Sequence, residues 1–407
     1  MPYCRIEVKF IRNHNSGAIK NICNLIFYYL LKKSLFSYFL LGIVLVGCGG
    51  TAEKLNPLQK ALKSDDPRIR WVMKDLKSYG LQIQYTQIER TKDSILFRDY
   101  DFQVDDSAYF YPASTVKFPI AVLALEKINS SEDITINTKF YIEGDTLETT
   151  FASEITKIFA VSDNDANNRI FEYLGQDAIN QGLISKNVTP VRIAHRLSTP
   201  NSDDVTTKPL IIYLNDSTTT TLPSITNTPP KHLELKEIAK GIGYYAEDSL
   251  VMEPFDFSLK NYYPITSQHG VLKRVIFPEV FPENERFNLS TTQREFLLNA
   301  MQLLPNEAGY DREEFYDSYG KFFMFGDSKE NMPKNVTIYN KVGYAYGTLT
   351  DCAYIKDETN KVEFLITATI LVNEDKIFND NAYEYDEIGI PFLAALGQEL
   401  YTIEDKR

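Results

Sequence analysis

Histidine and cysteine are scarce in this chain of 407 residues, with four of each. No His, Cys and Asp residues cluster at ligand spacing, so no metal is implied. Four cysteines, Cys4, Cys23, Cys48 and Cys352, are too few and too scattered for a disulfide framework. No G-x-S-x-G stretch occurs, which weakens a serine–histidine–aspartate reading. A basic excess is missing as well: 43 Lys and Arg stand against 55 Asp and Glu. That balance argues against nucleic acid as a partner. With 43% hydrophobic and 24% charged residues, the composition is that of a globular protein long enough for a large core. No cofactor is implied.

Long apolar runs are also lacking. The longest, from Leu35 to Val46, reaches 13 residues when counted to Gly47, short of the roughly 20 that a membrane-spanning helix needs. With Lys32 and Lys33 in front of it, the run reads as the core of a signal peptide covering residues 1–47. Its end, "LVGC", resembles the lipobox of bacterial lipoproteins, which implies lipidation of Cys48, a tether over 48–54 and a place in the cell envelope, periplasmic or on the outer surface. Residues 1 to about 31 fit no targeting pattern and suggest a start placed too early. Residues 1–47 hold six of the basic and one of the acidic residues, so the remainder carries 37 basic against 54 acidic side chains, near −17. Cys352 is then the one cysteine left inside the domain, and no internal disulfide is expected.

The domain, residues 55–407, starts with Ile69, Val72, Met73 and Leu76 at the spacing of an amphipathic helix that ends near Gly80. "LQIQYTQI" alternates like a half-buried strand, and a second strand-like run covers 95–104. Helical runs follow at 115–128, 151–160, 165–174, 234–246 and 290–303. Between them, "NDSTTTTLPSITNTPP" over 215–230 reads as loop. Strands return in "NVTIYNKVG", "YGTLTDCAYI" and "VEFLITATILV", and Leu393, Leu396 and Leu400 mark a last helix. The plan is α+β, a three-layer α/β/α arrangement. An antiparallel sheet is made from both ends of the chain, flanked by terminal helices, with a helical region inserted between strands two and three.

Three stretches carry chemistry. In "YPASTVKFPIAVLALE" Ser114 and Lys117 stand three apart at a helix start, where a lysine amine can serve as base for a serine nucleophile. Such a lysine must fall by about 3 units from its ordinary value near 10.4 to act at neutral pH. Spacing alone says little, because Ser318 and Lys321 match it too without an apolar helix behind them. "VSDNDANN" offers Ser162 and Asn164, though Ser-Asp-Asn is also an ordinary helix cap. "NKVGYAYGTLTD" places Lys341 and Gly343 in a strand that glycines would otherwise merely interrupt.

Together, in this order, the three resemble the S-x-x-K, S-D-N and K-T-G motifs of class A β-lactamases and penicillin-binding proteins. "YPA" before Ser114 and "GTLTD" after the third stretch add to the resemblance, which covers roughly 60–400. It implies the β-lactamase/transpeptidase-like fold and a serine hydrolase that forms an acyl-enzyme on Ser114. Lys117 would be the base, and Ser162 and Lys341 would relay protons and add positive charge. Asn164 would bind substrate, Gly343 would let it approach the backbone, and the N–H of Tyr344 would join that of Ser114 as oxyanion donor. The partner is a small-molecule or peptide substrate carrying an amide, β-lactam or ester. The alternatives are a penicillin-binding-like peptidase, or an acylated sensor that hardly turns over. The oligomeric state stays open.

Two departures bear on turnover. The family places a water-activating glutamate after S-D-N, whereas no glutamate occurs between Glu172 and Glu234; His195, Asp203 and Asp204 are the substitutes in range. Val342 stands where the third motif usually has Thr or Ser, and valine cannot donate a hydrogen bond. The interval from Ser162 to Lys341 is also long, with the extra length mainly in 200–288.

Overall fold

The computed structural model describes residues 55–407. The signal-like run and Cys48 lie outside the described residues. Helices α1 (Pro57–Leu62) and α2 (Pro67–Met73) each start with proline at the first turn, behind Asn56 and Asp66, whose side chains accept the free N–H groups of Gln59 and Arg68. The expected continuation of α2 to Gly80 does not occur: Asp75 caps a separate turn, Leu76–Tyr79, which Gly80 closes at φ +47°. Strands β1 (Gln82–Arg90) and β2 (Ile95–Phe102) form a hairpin. The chain then enters a helical region with α3 (Lys117–Asn129), α4 (Phe151–Ala160), α5 (Asn164–Leu174), α6 (Gln176–Ser185), α7 (Ile265–Ile276) and α8 (Thr291–Gln302). It returns as β3 (Val336–Ala345), β4 (Thr348–Asp357) and β5 (Val362–Leu371), and ends in α9 (Ile390–Asp405).

The main sheet has five antiparallel strands in the order β3-β4-β5-β1-β2. The two ends of the chain therefore meet between β5 and β1. Alternation along the strands divides two cores. Ala353, Ile355, Phe364 and Ile366 face the terminal helices with Ile69, Val72, Phe392 and Leu396. Cys352, Tyr354 and Leu365 face the helical region with Val271 and Leu272 of α7. Helix α3 is buried almost all round from Phe118 to Leu125, which makes it the hub of that region. Each such side chain contributes about 1.5–3 kcal/mol by leaving water, and this fixes the helix whose first turn carries Lys117.

Two sequence expectations fail between 200 and 262. The run 234–246 forms short strands, Ala239–Lys240 and Gly243–Ala246, rather than a helix. Gly241 sits at φ +78°, and a side chain there would meet the carbonyl of Lys376 at 2.5 Å. The four threonines at 218–221 form a strand, Thr218–Leu222, paired with Leu210–Asn215. Their β-branched side chains suit an extended backbone better than a loop. Sequence periodicity also missed α6 and α7, and α7 packs directly on the main sheet.

Candidate active site

The turn that carries Ser114 is built by backbone strain and a short 3-10 segment, Ala113–Val116. Ala113 has φ +47°, a left-handed conformation that costs an alanine roughly 1–2 kcal/mol. Thr115 secures the turn by donating from Oγ1 to the Pro112 carbonyl at 2.7 Å. Strand β3 runs against this turn at Gly343. A Cβ at that position would lie 2.8 Å from the Pro112 carbonyl and from the N atoms of Ser114 and Thr115. The glycine is thus required by the close approach of two backbones, the one that holds Ser114 and the one that leads to Tyr344.

Two lysines converge on Ser162. Lys117 is fully buried, and its Nζ donates to Asn164 Oδ1 at 2.7 Å, to the Ser162 carbonyl and, at 3.4 Å, to Ser162 Oγ. Lys341, 2% exposed, donates from Nζ to Ser162 Oγ at 2.8 Å and to the Val342 carbonyl at 2.8 Å. Among the described residues neither amine forms an ion pair. Burial brings the Lys117 amine down to about 7, against the upward pull of Asp163 and Asp165. Burial first, and the charge of Lys117 second, push Lys341 well below the ordinary lysine range. No hydrogen bond joins Lys117 to Ser114 Oγ among the described residues, contrary to the direct contact that helical spacing suggests. The amine is turned instead to Ser162 and Asn164.

Ser-Asp-Asn forms the expected helix cap and also meets both lysines. Asp163 caps α5 by accepting from the Ala166 N–H at 2.8 Å. Ser162, just before it, adopts φ +57°, which turns its carbonyl and hydroxyl toward the two lysines. The second S-x-x-K pair is structural. Lys321 is buried and donates to the Met301 carbonyl and to Asn340 Oδ1, both at 2.7 Å. Asn340 in turn donates to Asp351 Oδ1 at 2.8 Å.

A cleft of about 550 Å³ opens over Ser114, Asn164 and Tyr344. Tyr344 is 48% exposed, and Val342 is buried in the core beneath the terminal helices, with no donor to offer. Among the described residues no glutamate lines the cleft. Glu172 is instead pinned by Arg196 through contacts of 2.6 and 2.9 Å, with the Lys208 N–H on the same carboxylate. Asp203 and Asp204 are exposed, whereas His195 is 5% exposed and lines the cleft.

The long interval builds the far wall. Tyr109 N–H donates to the Lys236 carbonyl at 2.9 Å, and Arg192 and Tyr262 exchange backbone bonds of 2.7 Å. Phe257, Tyr262, Tyr109, Tyr111 and Ala113 share one apolar cluster. Strand Gly243–Ala246 also pairs with Ile377–Phe378, which holds the stretch that brings Asn379, Asn381, Tyr383 and Tyr385 into the cleft. Sequence reasoning missed these four. The run of Asn, Asp and Tyr between β5 and α9 was the available sign, but nothing local says that it folds back over Ser114.

The model of the β-lactamase enzyme family matches residues 52–226. The structure titled "Structure of PBP-A" superposes with a TM-score of 0.50 at 13% identity, covering 87% of this chain and 97% of that one. A β-lactamase from Burkholderia vietnamiensis gives 0.49 at 11% identity, covering 86% and 98%. No curated protein matches by sequence. The fold expected from the motifs, an antiparallel sheet with flanking helices of the β-lactamase/transpeptidase-like kind, is the fold observed.

Proposed function

From this β-lactamase/transpeptidase-like fold and its site we propose a serine hydrolase that works through an acyl-enzyme on Ser114. The observation that carries the proposal is the pair of buried amines, Lys117 and Lys341, meeting at Ser162 Oγ without a carboxylate partner. Burying two such groups costs several kcal/mol of solvation; Lys321 bears the same cost among structural acceptors, whereas these two amines share one serine hydroxyl. In the proposed reaction neutral Lys117 accepts the Ser114 proton while Oγ attacks the substrate carbonyl carbon. The N–H groups of Ser114 and Tyr344 hold the oxyanion, a contribution of about 3–4 kcal/mol per donor. Ser162, fed by both lysines, passes a proton to the leaving nitrogen or oxygen as its bond to carbon breaks. Asn164 holds Lys117 and meets the substrate.

The substrate is an acyl compound with a cleavable amide, β-lactam or ester, small enough for the cleft. A second reading, a protein that is acylated but releases slowly, is favoured by the cleft having no glutamate and by Glu172 being tied to Arg196. The cell-envelope location through lipidated Cys48 is part of the proposal, and loss of a metabolic fatty-acid label in Cys48→Ala tests it. Labelling by an activated-serine probe, mapped by peptide mass spectrometry, tests the nucleophile. Modification at Ser114 that disappears in Ser114→Ala is expected, and modification elsewhere, or none, removes the proposal.

A further inference from the structure

Among the cleft-lining residues His195 is chemically unlike the rest. Its Nδ1 lies 2.6 Å from the Arg196 carbonyl, and a carbonyl can only accept, so Nδ1 carries the proton. Nε2 is then a bare lone pair. It is buried and has no hydrogen-bond partner among the described residues, which costs about 1–3 kcal/mol unless something meets it. The ring is held in place. Tyr111 lies parallel to it at 6.2 Å, and Asn261 Oδ1 accepts from the N–H groups of Ala194 and His195 at 2.7 and 3.2 Å. The next residue, Arg196, is clamped by Glu172. Fixed tautomer, fixed ring and an unmet, buried acceptor on a residue that lines the cleft with Ser114 describe a group that a donor entering the cleft wall would satisfy.

We propose that His195 is a catalytic residue for release, with Nε2 accepting a hydrogen bond from the water that hydrolyses the Ser114 acyl-enzyme and taking its proton. The inference rests on the acyl-enzyme reading above. In the step, the water oxygen bonds to the acyl carbon, one water proton passes to Nε2, and the oxyanion sits on the N–H groups of Ser114 and Tyr344. Collapse breaks the bond between carbon and Ser114 Oγ, which regains the proton, and the free acid leaves. Arg192 and Lys260 face the ring with positive charge and Asp203 with negative charge, and burial together with these cations keeps the imidazole neutral down to about 4. Nε2 is therefore unprotonated across the neutral range, and as a weak base it makes release slow rather than absent.

The test measures acylation and release separately, by intact mass of the full domain after a pulse of a p-nitrophenyl ester and of a β-lactam. His195→Asn keeps a donor for the Arg196 carbonyl and deletes Nε2. His195→Phe keeps the ring against Tyr111. Both variants are expected to gain the Ser114 adduct at the wild-type rate and to hold it at least about 100-fold longer. The wild type should show a release rate that is flat above pH 6 and slowed in heavy water. Adduct lifetimes within twofold of wild type would overturn the role of His195 and leave the nucleophile standing. Equal losses in acylation and release would also overturn it, because they mark a structural role. A wild type that forms no Ser114 adduct would remove the parent reading itself.

Discussion

Lys341 on β3 donates to the hydroxyl of Ser162 at 2.8 Å across 179 residues of sequence. Lys117 Nζ lies 3.4 Å from the same oxygen, so Ser162 is the junction of the site. Ser162→Ala removes that acceptor from two buried amines. Unfolding in urea should show a loss of about 1 kcal/mol only, because Lys117 keeps the Ser162 carbonyl and Asn164 and Lys341 keeps the Val342 carbonyl. Acylation of Ser114 by an ester reporter should slow by about 100-fold or more.

Gly343→Ala tests the contact of two backbones. All three atoms that the new Cβ would meet, at 2.8 Å, are main-chain atoms of the Ser114 turn, and main chain cannot swing aside as a flexible side chain does. The strand must retreat, and Tyr344 N–H goes with it. The expected result is loss of about 100-fold or more in acylation, with the far-ultraviolet circular dichroism of the folded protein retained.

Glu172→Gln separates support from chemistry. The carboxylate is buried against the Arg196 guanidinium, and breaking a buried pair on one side commonly costs about 3–5 kcal/mol. A large fall in urea stability is expected. If Glu172 were instead the water-activating glutamate, the variant would keep its stability and accumulate the Ser114 adduct.

Two buried histidines make folding sensitive to acid. His195 is lowered to about 4 and His269 to about 3, in both cases chiefly by burial. His269 is enclosed by Thr86 and Thr367 on the sheet and lies near the Lys273–Asp99 pair. The folded state favours the neutral ring, while the unfolded chain takes up a proton near 6.5. Stability is therefore whole above about 6.5 and falls as pH drops toward 4. The His195 share reaches about 3 kcal/mol at the bottom of that window. Urea midpoints at pH 7.5 and pH 5 check the slope, and His269→Gln should flatten it.

The three segments that meet at the candidate site were legible because each is a local pattern on a regular element. Ser114 and Lys117 sit at the start of an apolar helix, Ser162 and Asn164 flank a capping aspartate, and Lys341 and Gly343 lie in an alternating strand. The three strands 336–371 and the last helix were legible for the same reason. What lies between 200 and 280 was not. Gly241 and Gly243 interrupt a stretch with helix-like periodicity, and contacts with Lys376 and Phe378, more than 130 residues away, decide its shape. Helix α7 hides its apolar face among Ser267, Gln268 and His269, buried polar residues held by the Pro190 carbonyl, the Tyr263 carbonyl and, for His269, Thr86 and Thr367 of the sheet. The rotation of Lys117 away from Ser114 toward Ser162 and Asn164 is likewise a tertiary fact, invisible in three-residue spacing.

The central claim is that Lys117, buried to an amine near 7, activates Ser114. Rapid-quench intact mass spectrometry of Ser114 acylation from pH 5 to pH 10 measures this directly. The expected rate rises with pH through a midpoint at about 7 and levels off above it, with Lys117→Met reduced by about 100-fold or more at every pH. A rate that keeps rising to pH 10, or a Lys117→Met variant that acylates like wild type, would contradict it.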